Sequence, residues 1–181
     1  MRECDAFRAQ AASDFAVYLL LLAQDREDVP ECHPLHYLQM ATEKLAKAVL
    51  LASNPGFNPR SHVAFSRLPK ILRREARAAK VLGYGEKIAQ FRAALMALQS
   101  LVEDVERLSP QVADKKGKKP AANNPNVEYP WEGRGPRGQV DWIVPATHQF
   151  GLLSRLRTPP CGVQLVEVIQ RLLERFDEIF A

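Results

Sequence analysis

Four residues near the first third of the chain, His36, Gln39, Glu43 and Lys47, have the types and spacing to do chemistry together. On a helix, at about 100° per residue, they fall within ~80° of one another and opposite Leu38, Ala41 and Leu45. An imidazole, an amide, a carboxylate and an ammonium on one ridge can bind a phosphate or move a proton. The same spacing also describes a solvated helix face, with a Glu43/Lys47 i,i+4 pair worth roughly a few tenths of a kcal/mol. Spacing alone leaves both readings open.

The other histidines are weighed in the same way. His62 follows Arg60 by two residues where a loop enters a helix. That placement suits an acid/base imidazole beside a phosphate-binding guanidinium, and equally a helix-terminal hydrogen bond. Arg26, six residues (EDVPEC) and His33 make one Arg-x6-His match. With this many Arg and His, chance alone supplies about one such match, so the pair carries no weight by itself. His148, in PATHQF, has no patterned partner. Cys32 and His36 stand at i,i+4 but lack third and fourth ligands in sequence reach, so no metal is expected. Cys4, Cys32 and Cys161 form no CxxC pair, which excludes a disulfide framework and a Cys-based zinc site and makes a reducing cytoplasm the expected location. No cofactor is implied.

A second chemical feature is a basic stretch. Residues 110 to 138 hold six cations (Lys115, Lys116, Lys118, Lys119, Arg134, Arg137) against three anions (Asp114, Glu128, Glu132), so they supply +3 of the net charge of +4. They also hold five of the 13 Pro and four of the nine Gly, which is loop chemistry. The four lysines next to Tyr129 and Trp131 offer phosphate contacts beside stackable rings, as single-stranded RNA requires. The competing reading is a solvated loop, with Trp131 and Trp142 folded back as a cap on the core. Disorder is expected over about 112 to 126, and packing over Val140 to Leu153.

These groups must be positioned by helices. Phe7, Ala11, Phe15, Tyr18 and Leu22 recur at spacings of three and four, predicting a helix from about Asp5 to Gln24. A second, with Pro34 in its first turn, runs through Leu38, Ala41, Leu45, Ala48 and Ala52 to Asn54-Pro55-Gly56. A third starts with Ser61 as N-cap, carries Val63, Leu68, Ile71 and Leu72, and is bent or restarted by Pro69. After Gly83-Tyr84-Gly85 comes the cleanest stripe: Ile88, Phe91, Leu95, Leu98, Val102 and Val105. A fifth helix follows Thr158-Pro159-Pro160, with Leu165, Ile169, Leu172, Phe176 and Ile179 inward. Alternating apolar runs are lacking, so no sheet of any size is predicted.

The string CHPLHYLQMATEKLAKAVLLA (Cys32 to Ala52), with a helix before it and Arg60-Ser61-His62-Val63 after it, resembles the HEPN domain superfamily. That superfamily's second helix carries a pattern close to Q-x-x-x-E-K-x-x-K-A, matched here by Gln39, Glu43, Lys44, Lys47 and Ala48. A His opening the third helix, like His62, is also common in it. The resemblance covers roughly residues 5 to 108 and 159 to 180. It implies an all-α fold: an antiparallel four- to five-helix bundle with a long Pro/Gly/Lys-rich loop before the last helix, often paired as a homodimer. Many such proteins are metal-independent ribonucleases of toxin-antitoxin or phage-defence systems, in which His does acid/base chemistry and Arg meets phosphate during attack by the RNA 2′-OH. Others are non-catalytic partners of nucleotidyltransferases. The nuclease reading assigns His36 or His62, with Glu43, to catalysis, and Arg60, Lys47, Lys115, Lys116, Lys118 and Lys119 to phosphate. The alternative is an interaction module that pairs with itself or with a neighbouring gene's product.

At 181 residues and 46% hydrophobic, the chain is expected to form one domain over 1–181, with 110–138 as an insertion. The apolar run Ala16 to Ala23 is preceded by Glu3, Asp5 and Asp14, is not followed by an A-x-A site, and is shorter than the ~20 residues that span a bilayer. It is expected to be core helix, with no membrane partner.

Overall fold

The computed structural model describes residues 1–24, 29–54, 56–60, 62, 64–110, 125–134 and 138–180. The fold is mostly helical. Helix α1 (Glu3–Leu22) starts where Asp5 accepts the Arg2 backbone N–H at 3.2 Å and its guanidinium at 2.9 Å. The Arg2 hydrogen bonds hold the Asp5 carboxyl below its ordinary value. A carboxylate in the first turn also suits the helix dipole. Helix α2 (Cys32–Ser53) takes Pro34 into its first turn, and Asn54 beyond its end caps the Gly56 N–H at 3.1 Å.

The α1/α2 pair is antiparallel: Asp14 meets Lys44, Phe7 lies by Lys47, and Leu21 and Pro34 border one cavity. Helix α2 is the centre of the molecule. Beyond α1 it touches a 3-10 turn at Phe65–Arg67, α3 (Leu68–Leu72), α6 (Gln99–Glu106), α8 (Cys161–Glu174) and α9 (Phe176–Phe180). Leu35, Leu38, Ala41, Leu45, Ala46, Ala48 and Val49 are accordingly buried. Its polar ridge is enclosed too, with Gln39 only 3% and Lys47 only 7% exposed, so the solvated-face reading does not hold there.

The later helices differ from expectation in detail. Pro69 stands in the first turn of α3, where its missing N–H costs nothing, so it restarts the helix. Ser61 and Val63 lie outside the described residues. The fourth stripe is divided at Leu98 into α5 (Ile88–Ala97) and α6. Leu98 keeps helical dihedrals (φ −76°, ψ −15°), so Phe91, Leu95, Leu98, Val102 and Val105 stay buried on one line. The last stripe is divided at Arg175, whose guanidinium donates to the Val81 carbonyl at 3.2 Å and pairs with Glu178. Leu165, Ile169, Leu172, Phe176 and Ile179 are all buried. Two helices of six residues, α4 (Ala76–Val81) and α7 (Leu152–Arg157), were not predicted, because so short a segment shows no period.

One small sheet corrects the expectation of none. Strands β1 (Trp131–Arg134) and β2 (Val140–Ile143) form an antiparallel hairpin with Trp131 opposite Ile143 and Glu132 opposite Trp142. Four-residue strands are too short for alternation to register in sequence. Trp131 is buried, edge-on to His148 at 5.1 Å. Trp142, expected to cap the core, is 68% exposed. The reason is parity: successive strand residues face opposite sides, so the pair Glu132/Trp142 points away when Trp131 points in.

Candidate functional site

Helix α2 contributes His36, Gln39, Met40, Glu43 and Lys44 to an open cleft of about 310 Å³. His62, from the segment before the 3-10 turn, Ser109, just past α6, and Glu128, just before β1, complete its lining.

Glu43 is the hub. Its Oε1 receives Lys47 Nζ at 2.6 Å and lies 3.2 Å from His62 Nδ1, while its Oε2 accepts from Gln39 Nε2 at 3.0 Å. The Glu43 and Lys47 side chains are 15% and 9% exposed, whereas His62 is 37% exposed. The helix makes this possible: positions 39, 43 and 47 are one turn apart, so the three side chains stack along one line. With Nδ1–H directed at Glu43, the ring's Nε2 is left as the basic nitrogen, an assignment inferred from this geometry. A half-exposed imidazole oriented by a partly buried carboxylate is the arrangement of a general acid/base.

His36 faces the cleft from the preceding turn of α2. Its Nδ1 is 3.9 Å from Glu128 Oε1, and that buried nitrogen has no hydrogen-bond partner among the described residues. The Tyr37 ring stands edge-on to it at 5.5 Å. Glu128 is held by a local turn in which the Asn126 Oδ1 accepts the N–H of Glu128 at 3.0 Å and of Tyr129 at 2.7 Å. The Val127 N–H, at 3.3 Å from the Leu108 carbonyl, pins this turn to the end of α6.

The cations of the ridge are committed elsewhere. Lys47 lies 5.8 Å from the Phe7 ring centroid and pairs with Glu43. Lys44 reaches the buried Asp14 of α1, which also accepts from Gln10 at 3.0 Å. Lys44 therefore pairs across the α1/α2 contact, while Lys47 pairs within α2 and meets α1 through the Phe7 ring.

Of the residues singled out in the sequence, the structure brings His36, Glu43, Lys47 and His62 together. Arg60 is exposed two residues from His62, its N–H donated to Asn58 Oδ1 at 3.0 Å, and does not line the cleft. His33 is exposed at the start of α2, and Arg26 lies outside the described residues, as do Lys115, Lys116, Lys118 and Lys119. His148 packs between Trp131 and Phe150, away from this cleft. The Cys32 thiol is pushed up by burial. Among the described residues, no group of three or more His, Cys, Asp or Glu side chains is arranged to hold a metal ion. Sequence reasoning missed Met40, Ser109 and Glu128. No local signal marks the last two, since their role depends on where distant chain segments return to α2.

The fold and site together define a mostly helical protein with a histidine–carboxylate cleft on its central helix. The chain matches no family model, no curated protein and no solved structure.

Proposed function

We propose that this chain is a HEPN-like helical-bundle protein that cleaves RNA without a metal ion, as a cytoplasmic, homodimeric effector in a toxin-antitoxin or phage-defence setting. The observation that carries the reading is the His62–Glu43 contact, 3.2 Å, in a cleft that holds a second imidazole, His36. His62 Nε2 takes the proton of a ribose 2′-OH, and the 2′-oxygen attacks the adjacent phosphorus. The 5′-oxygen leaves with a proton from protonated His36. The products are a 2′,3′-cyclic phosphate and a free 5′-OH. Glu43 orients His62, and Lys47 holds Glu43 in place rather than meeting phosphate. Phosphate contact falls to Arg60, two residues before His62 in the sequence, and to the lysines of the 115–119 cluster.

The test is cleavage of a labelled RNA by the purified protein. Cleavage that persists in excess chelator and is lost in His62→Ala and in His36→Ala supports the reading. Loss of activity on chelation overturns the metal-independent step.

A second reading is an interaction module, pairing with a neighbouring gene's product such as a nucleotidyltransferase. It is favoured by Lys44 pairing with Asp14 and Lys47 lying over the Phe7 ring, both on α1, which makes the helix-two pattern a device for joining α1 to α2. Expression toxicity lost on His62→Ala points to the enzyme. Absence of toxicity together with a stable complex with the neighbour points to the module.

A further inference from the structure

The cleft holds two imidazoles, of which one, His62, is within hydrogen-bond distance of a carboxylate. Its charged and titratable lining groups are His36, Glu43 and Lys44 from α2, His62 from the segment before the 3-10 turn, and Glu128 from the turn before β1. Glu43 is committed to Lys47 and His62, and Lys44 to Asp14. Among the described residues Glu128 is therefore the carboxylate left for His36. Its Oε1 lies 3.9 Å from His36 Nδ1, beyond hydrogen-bond reach, yet that nitrogen is buried and makes no other hydrogen bond among the described residues. A buried ring nitrogen without a partner costs free energy, and an approach of about 1 Å by Glu128 satisfies it.

The placement of Glu128 is built. Asn126 Oδ1 accepts the N–H of Glu128 itself and of Tyr129, and Val127 is tied to the Leu108 carbonyl at the end of α6. We propose that Glu128 is the positioning residue of His36: its carboxylate holds the ring's proton on Nδ1 and leaves Nε2 to exchange protons with the substrate. The inference rests on His36 as the acid of RNA cleavage and adds the group that orients it. Which nitrogen of a histidine carries the proton is set by the bond that the other makes. An imidazole with no such neighbour favours Nε2–H. Here that form sets the Nδ1 lone pair against the Glu128 oxygen, so the carboxylate selects against it. As the reaction proceeds the Nε2 proton passes to the departing 5′-oxygen, and the Nδ1 proton stays in place. Such contacts are often long in a free enzyme and tighten around substrate.

The first readout needs no cleavage. In the full chain carrying nitrogen-labelled histidine, imidazole nitrogen shifts are read at about pH 8.5, above the ordinary range of the ring. His36, assigned by its absence from His36→Gln, is expected as the Nδ1–H form, and Glu128→Ala is expected to move it to Nε2–H. The Glu128 side chain is 27% exposed, so its removal leaves the core intact. An Nε2–H ring in the unsubstituted chain, or a form that Glu128→Ala leaves unchanged, overturns the proposal. The second readout separates acid from base. Glu128→Ala is expected to lower kcat about tenfold and to keep KM within about twofold. On RNA whose departing 5′-oxygen is replaced by sulfur, which leaves without a proton, that deficit shrinks to within about twofold, whereas Glu43→Ala, acting through the base His62, keeps its own. An equal Glu128→Ala deficit on both substrates marks a merely structural role and overturns the proposal. A chain that cuts no RNA yet shows the Nδ1–H form and its loss in Glu128→Ala overturns the cleavage reading and supports the pairing of Glu128 with His36.

Discussion

His62 Nδ1 lies 3.2 Å from Glu43 Oε1, the same oxygen that receives Lys47 Nζ at 2.6 Å. One carboxylate thus joins a half-exposed imidazole to a buried ammonium, and removing any of the three changes the other two.

Catalysis should follow that order. Glu43→Gln keeps an oxygen able to accept from His62 but removes the charge, and Glu43→Ala removes both. RNA cleavage is expected to fall from wild type through Glu43→Gln to Glu43→Ala, with His62→Ala lowest by about 10²–10⁴-fold. Single-turnover rates on one RNA check it. Equal rates in wild type and Glu43→Ala would falsify the positioning role.

Stability gives an independent reading of the same hub. Glu43→Ala leaves the Lys47 ammonium, 9% exposed, without its partner, a change that costs about 3 kcal/mol. Adding Lys47→Met removes the stranded charge while keeping an unbranched side chain only one atom shorter, so the double variant is expected to regain much of the loss. Urea denaturation of the four proteins measures the coupling.

Alkaline pH should find Tyr18. Its side chain is buried, and burial pushes the phenol from its ordinary 10.0 up to about 12. The folded value is the higher one, so the stabilisation is fully present below pH 10 and is lost as pH rises through 12. The full loss is ~3 kcal/mol. Thermal melts from pH 8 to 12 are expected to fall more steeply for the wild type than for Tyr18→Phe, which has no proton to release.

Gly162 fixes how α7 meets α8. A Cβ there would lie 2.0 Å from the Arg155 carbonyl oxygen and 2.6 Å from the Leu156 carbonyl carbon, both backbone atoms. Gly162→Ala gains about 1 kcal/mol in helix propensity, but the overlap costs more, so a net loss of at least ~2 kcal/mol is expected. A higher melting temperature in Gly162→Ala would show that the two helices can separate freely.

Much of the fold was legible because helical periodicity is local. The stripes from Ala11 to Tyr18, Leu38 to Ala48, Phe91 to Val105 and Leu165 to Ile179 each reappear as buried lines, with Phe7 partly buried at the start of the first. The breaks within them at Leu98 and Arg175 were not legible, since neither residue is a Gly or Pro that announces a stop. Arg175 turns the chain through a bond to Val81, far along the sequence.

The sequence by itself determined the long helical stripes, the restart at Pro69, the gathering of charge in 110–138 and the alignment of Gln39, Glu43 and Lys47, because each depends on residues within a few positions of one another. The tertiary structure alone decided that this ridge is enclosed, that His62 and Glu128 come to it, and that Trp131 is buried while Trp142 is not. Those outcomes depend on the path by which distant segments return to α2 and on the parity of two paired strands, and spacing along a chain carries neither.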